Sequence, residues 1–233
     1  PAGLAALRRT DRKTLAISVL PSGNLELTAP RESTVDDILG KVGKRLRWIA
    51  KQRADFAAMR HNRLPLRYES GATHAYLGRQ YRLKVSRGEP AMVRLRGAYF
   101  YITAPTADVE VVETLLDEWM RQKAAVQFSR RLAVWEPWCR HRRLPLPKLS
   151  LRRMSKRWGS AGTGGRIALN PDLVRAPSIC IDYVIVHEIC HLKHPSHNPA
   201  FFRLLESVFP RWREAKIRLE SASGIPALGG SMN

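Results

Sequence analysis

The chain has 233 residues, an ordinary apolar content of 44% and a formal net charge of +20, from 40 Lys and Arg against 20 Asp and Glu. That length can bury a full core as one large domain or two small ones. No segment approaches the ~18 uncharged apolar residues of a membrane helix, and the apolar start around Leu4–Leu7 is too short for a secretory core, so no membrane partner is expected.

Residues 14–29 alternate in polarity around Pro21-Ser22-Gly23-Asn24, which predicts a β-hairpin. Ser33 or Thr34 followed by Asp36 and Asp37 starts a helix, and Val35, Ile38, Leu39, Val42, Leu46 and Ile49 keep helical spacing to about residue 60. Residues 72–103 return to strands, with turns at Gly78, Gly88 and Gly97. Thr106 or Asp108 opens one long helix through about residue 142, with a stripe of Val109, Val112, Leu116, Trp119 and Met120. Residues 149–154 and 166–170 read as two strands joined through a glycine-rich tip. Gly162-Thr163-Gly164-Gly165 lacks the G-K-[ST] ending of a phosphate-binding loop. A helix over 178–193 and a last helix from Asn198 or Pro199 to about 221 complete the pattern, followed by a tail small and polar enough to be flexible. The mixture predicts an α+β protein.

The 178–193 helix carries His187-Glu188-Ile189-Cys190-His191, the H-E-x-x-H pattern. Residues i and i+4 lie nearly above one another on a helix, so His187 and His191 can present two imidazoles to one ion. A catalytic zinc needs about three protein ligands and one open position. Glu188, on the flank of that face, is placed to take a proton from water rather than to ligate. Pro195 stops the helix and lets the chain fold back, which makes His197 the leading third ligand. Glu206 on the following helix and His194 near the helix end remain alternatives. The helix is apolar nearly all round and therefore expected to be buried, where a Glu and two His are costly unless paired or ligating.

Arg157-Trp158-Gly159-Ser160, Ile167-Ala168-Leu169-Asn170, the run from Ile181 to Glu188, His191-Leu192-Lys193-His194, and His197-Asn198-Pro199-Ala200-Phe201-Phe202 together resemble the YgjP-like metallopeptidases, relatives of the SprT-like zincins. The resemblance is strong from about 150 to 220. It implies a zincin-like peptidase fold and a Zn2+ site of His187, His191 and His197 with Glu188 as base. The family often has a cysteine just after R-W-G-S, where this chain has Ala161. On this reading residues 1–105 form a β-rich N-terminal region with one long helix, 106–221 the zincin-like catalytic region, and 222–233 a flexible tail.

The expected activity is hydrolysis of protein or peptide substrates. Tyr183, one turn before His187, and Arg157 are candidates to stabilise an oxyanion. A strand edge near Ile167–Asn170 could hold an extended peptide. Family members have also been labelled nucleotide pyrophosphatases, so a metal-dependent phosphohydrolase is the alternative, and a protease acting on nucleic-acid-bound proteins a third. Residues 121–160 hold twelve Lys or Arg against one acid, Glu136, with Trp135, Trp138 and Trp158 interleaved, which suits a nucleic-acid partner. Cys139, Cys180 and Cys190 form no C-x-x-C pair and fit a reducing cytoplasm, with Cys190 a small buried filler. His61, His74 and His141 are expected to be exposed or structural.

Overall fold

The computed structural model describes residues 5–11, 14–19, 23–61, 66–154 and 157–223. The chain divides into two compact units, with the boundary between Leu64 and Pro65. In the first unit, β1 (Ala5–Thr10), β2 (Ala16–Val19) and β3 (Leu25–Pro30) form a sheet of order β1-β3-β2. β2 and β3 are the expected hairpin; β1, unmarked by any alternation, joins it in parallel. Two helices follow, α1 (Val35–Gly43) and α2 (Leu46–His61), where one was expected. Thr34 caps α1 by accepting the Asp37 N–H at 3.1 Å. Gly40 and Gly43 weaken its last turn, and Lys44 closes it with bonds to the Gly40 and Val42 carbonyls. Leu27, Ala29 and Ile38 are buried together, with Val19 and Ile49 alongside.

The second unit begins with a four-stranded sheet of β4 (Thr73–Tyr76), β5 (Arg79–Arg87), β6 (Met92–Arg96) and β7 (Tyr99–Ala104), in the order β4-β5-β7-β6. All four strands were expected, but not their company. The sheet packs on the long helix α3 (Val109–Ala133), so the boundary expected near residue 105 lies instead at 64/65. Phe100 and Ile102 of β7 are buried on the side that packs on α3, whose buried stripe repeats every four residues, from Val112 and Leu116 through Met120, Ala124 and Phe128 to Leu132. Val109, placed in that stripe by the sequence, is largely exposed. The helix expected to reach 142 breaks at Val134–Trp135 and resumes as α4 (Glu136–His141), whose Pro137 is tolerated only in a first turn.

A second, three-stranded sheet holds β8 (Lys148–Leu151), β9 (Gly159–Ala161) and β10 (Arg166–Leu169), in the order β8-β10-β9. β8 and β10 match the two expected strands, but they run parallel; the hairpin partner of β10 is β9, three small residues without a strand signature. The strand at 167–170 is therefore central, and β8 and β9 are the two edges. The helix carrying H-E-x-x-H is α5 (Ser178–His191), followed by α6 (Pro199–Val208) and α7 (Trp212–Ser223). The single last helix expected from the sequence is divided at Pro210, which cannot continue α6. The expected tail lies outside the described residues beyond Ser223.

Two contacts set the position of α5. Arg131 on α3 grips the Asp182 carboxylate with Nη1 at 2.6 and 2.7 Å. The β4–β5 turn docks on the segment leading into α5: Leu77 and Gly78 donate to the Val174 and Arg175 carbonyls at 2.8 and 3.1 Å. Gly78 has φ +80°, and a Cβ there would meet the Pro177 Cα at 2.8 Å, so only glycine fits both the turn and the contact. Among the described residues no helix is long and apolar enough to cross a membrane.

His74 links β4 to this arrangement. It is fully buried, its Nε2–H donates to the Arg67 carbonyl at 2.7 Å, and its Nδ1 faces the Arg175 guanidinium at 3.5 Å. Burial holds its pKa below the ordinary 6.5, with the Arg175 charge adding to the effect. The folded state thus binds fewer protons than the unfolded one as pH falls below about 6.5, and stability drops with pH in that window. His74→Gln is expected to shrink the acid-side loss, by up to about 1.4 kcal/mol per pH unit, in urea titrations of the metal-free protein between pH 7 and 5. An unchanged acid limb would refute the assignment.

Candidate metal centre

α5 is buried on every side. Cys180, Ile181, Val184, Ile185, Val186, Ile189 and Cys190 lie in the core, and the polar pair His187 and Glu188 is only 2% exposed. The helix ends at His191, and Leu192 caps it through bonds to the Cys190 and Ile189 carbonyls. Pro195 lies in the turn that follows, which returns the chain to Asn198. There the Asn198 Oδ1 accepts the Phe201 N–H at 2.9 Å and starts α6.

This reversal brings three imidazoles together. The Nε2 atoms of His187, His191 and His197 lie 3.0–3.2 Å from one another. A tetrahedral zinc with Zn–N bonds of about 2.0–2.1 Å has an edge of roughly 3.3 Å, so the triangle fits that ion. The donor chemistry also fits. The His191 Nδ1–H donates to the His194 carbonyl at 3.0 Å, which leaves its Nε2 lone pair free to ligate. Burial lowers the pKa of all three rings, that of His197 to about 4, so they are neutral ligands at pH 7. Among the described residues this is the one group of three or more such side chains able to hold an ion.

The other two candidates are engaged differently. His194 contributes its carbonyl to the His191 ring rather than its own ring to the cluster. Glu206 accepts from Trp212 Nε1 and Arg213 Nη1 at 2.5 and 2.6 Å. His141 is exposed, and the side chain of His61 lies outside the described residues.

Phe201 is the residue that sequence reasoning undervalued. It is fully buried, and its ring lies 5.0, 4.5 and 4.8 Å from the rings of His187, His191 and His197. One rigid side chain therefore backs all three imidazoles. Its signal was its place two residues into α6, on the first buried turn after the third histidine.

Glu188, next to His187 on α5, lies against β9. A Cβ on Gly159 would meet Glu188 Oε1 at 2.5 Å and Cγ at 2.8 Å. Burial pushes the Glu188 carboxyl up to about 8, while the Ala161 N–H, which donates to it, and the Arg157 charge pull it back down. Ala161 thus serves through its backbone. Asn170, 2% exposed, ties the segment down: its N–H donates to the Trp158 carbonyl at 2.8 Å and its Nδ2 to the Met154 carbonyl at 2.9 Å. Arg157 is exposed beside Ser160. Tyr183 is 1% exposed, with its ring 5.7 Å from that of His187 and its hydroxyl pKa raised by burial. The three cysteines are buried free thiols, and burial pushes Cys190 up to about 12.

A buried H-E-x-x-H helix, a third histidine returned by a proline turn and a carboxylate pressed against an edge strand define a metallopeptidase-type centre on an α+β frame. The chain belongs to the YgjP-like family, whose metallopeptidase domain it matches over residues 13–222. No curated protein matches it. Among solved structures, it is similar to the crystal structure of the metallopeptidase zymogen abylysin from Pyrococcus abyssi, with 22% identity over 48% of this chain and 99% of that one, at a TM-score of 0.34.

Two substitutions separate the parts of this centre. Phe201→Ala removes the common backing of the three rings and is expected to weaken zinc binding about 10- to 100-fold, the range for lost support around a metal ligand, measured by competition with a chromophoric chelator. Gly159→Ala is expected to displace the Glu188 carboxylate and lower peptidase turnover by at least about 10-fold, since proton transfer by a positioned group contributes 10²–10⁴, with one zinc per chain retained. Full turnover in Gly159→Ala would show that the carboxylate tolerates the move.

Proposed function

We propose that the protein is a zinc-dependent peptidase in which His187, His191 and His197 hold the metal and Glu188 is the general base. The observation that carries this reading is the placement of one buried carboxylate beside three converging neutral imidazoles. Zinc, when bound, supplies the Lewis acidity that polarises a peptide carbonyl. Glu188 accepts the proton of the attacking water and returns it to the leaving nitrogen. Burial raises the Glu188 carboxyl above the ordinary carboxylate range, which makes it a stronger base once ionised.

The remaining residues orient and exclude. β9 is the edge strand on the Glu188 side of its sheet, so an extended peptide can pair along it, one strand removed from the edge that the sequence suggested. Arg157 lies close enough to Glu188 to act on its charge and is the candidate to meet an oxyanion at the rim. Tyr183 supports the His187 ring from the core side. Among the described residues no carboxylate joins the imidazole cluster, so the oxygen-rich site that Mg²⁺ or a second metal favours in phosphoryl chemistry has no counterpart there.

Glu188→Gln is expected to bind one zinc per chain yet lose about 10²- to 10⁴-fold in turnover of an unfolded protein substrate, the contribution typical of a general base. Undiminished cleavage in that variant, or pyrophosphate release from nucleoside triphosphates without peptide cleavage, would overturn the proposal.

A further inference from the structure

The outer face of the β8-β10-β9 sheet has no role in the chemistry above. Register places Arg166 opposite Lys148, and Ala168 opposite both Ser150 and Ser160. These side chains share one face, because alternate residues of a strand point the same way. Leu149, Ile167 and Leu169 take the other face, where Ile167 and Leu169 are fully buried. Arg152 extends the outer row: its N–H continues the ladder to the Leu169 carbonyl at 3.0 Å. Lys148, Arg152 and Arg166 are all exposed.

Charge on the two faces is segregated. Arg153, itself exposed, pairs with Asp117 on α3 at 2.5 Å. Its neighbour Arg152, like Lys148 and Arg166, has no carboxylate within ion-pair distance among the described residues. Three acids of this unit are held elsewhere: Asp117 also pairs with Arg175, Asp182 with Arg131, and Glu206 with Arg213. The basic row continues past the sheet. The Pro145–Leu146 stretch lies against the tip at Gly165, where a Cβ would meet the Leu146 carbonyl at 2.6 Å, and it leads back to exposed Arg142 and Arg143.

We infer that this face binds the phosphate backbone of a nucleic acid, without base readout. Three observations favour that partner over an acidic polypeptide. The residues between the cations are Ser150, Ser160 and Ala168, too small to form the side-chain pockets that peptide recognition uses. Serine hydroxyls and Arg forks are common phosphate donors. The excess of Lys and Arg runs through both units of a +20 chain, which suits a polymer with a charge every few ångströms. Among the described residues the outer row of the three strands carries no aromatic side chain, so stacking and sequence preference are not expected from it.

The test uses the full chain and a fluorescein-labelled 20-nucleotide single-stranded DNA, with anisotropy read across a salt series. The triple variant Lys148→Gln/Arg152→Gln/Arg166→Gln is expected to bind about 10- to 100-fold more weakly near 0.1 M salt and to lower the log–log salt slope by about 2, as loss of three phosphate contacts to a single strand requires. Lys148→Arg/Arg166→Lys, which keeps the charge, is expected to bind as the parent. A triple variant in exposed positions of the first unit, Lys41→Gln/Lys44→Gln/Lys51→Gln, controls for net charge. Equal weakening by both triple variants would mean a diffuse field and overturn the proposal. So would no binding by the parent, or competition by polyglutamate as strong as that by unlabelled DNA at equal charge. None of these readings depends on peptidase activity, so they stand or fall apart from the proposed mechanism.

Discussion

The burial of His187 and Glu188 in the middle of an apolar helix is the constraint on which the second unit depends. Two ionisable side chains at 2% exposure are costly unless each finds a partner. The histidine finds His191 and His197 around a common point. The glutamate finds the Ala161 N–H and the flank of Gly159. Both solutions need other parts of the chain to be held at fixed distance from α5. Arg131 on α3, the Leu77–Gly78 turn and the Asn170 cap supply that hold from three directions. The sheets and α3 can be read as the frame that lets one helix carry polar chemistry in a dry interior.

What the sequence made legible follows from periodicity. The metal helix, the long helix α3 and the four strands of 73–104 carry strong patterns, and His187, Glu188 and His191 follow from helical spacing alone. The turn at Pro195 made His197 the leading third ligand, and the structure brings its ring to the other two. The misses are places where pattern is silent. Gly159-Ser160-Ala161 has neither branched nor aromatic residues, so β9 and the edge it forms were invisible. β1 has no alternation. The breaks between α1 and α2, α3 and α4, and α6 and α7 arise from local chemistry at Gly43, Pro137 and Pro210, inside hydrophobic repeats that continue across them. The unit boundary was misplaced because the strands of 73–104 lie next in sequence to the N-terminal sheet but bury their apolar face on α3. Phe201 could be seen as buried but not as shared, since contact with three separate histidines is a property of the fold alone.

The short strand β9 shows why the catalytic segment and the basic face can coexist. Its three residues alternate in demand. Gly159 and Ala161 belong to the side that meets Glu188, one by having no side chain and the other by lending its N–H. Ser160 belongs to the outer side, with Arg157 reaching its hydroxyl at 3.5 Å. A larger residue at 159 would strike the carboxylate, while the outer row needs only to be small and polar. The same alternation separates Arg152 from Arg153: both are exposed, the first without a carboxylate partner among the described residues and the second paired with Asp117. A period of two therefore lets a single layer of backbone serve a dry carboxylate on one side and a charged, wet surface on the other. Because that layer is one strand thick at its edge, a polymer held on the outer face would lie beside the edge along which a substrate chain would pair, and binding there would raise the local concentration of whatever protein the polymer carries.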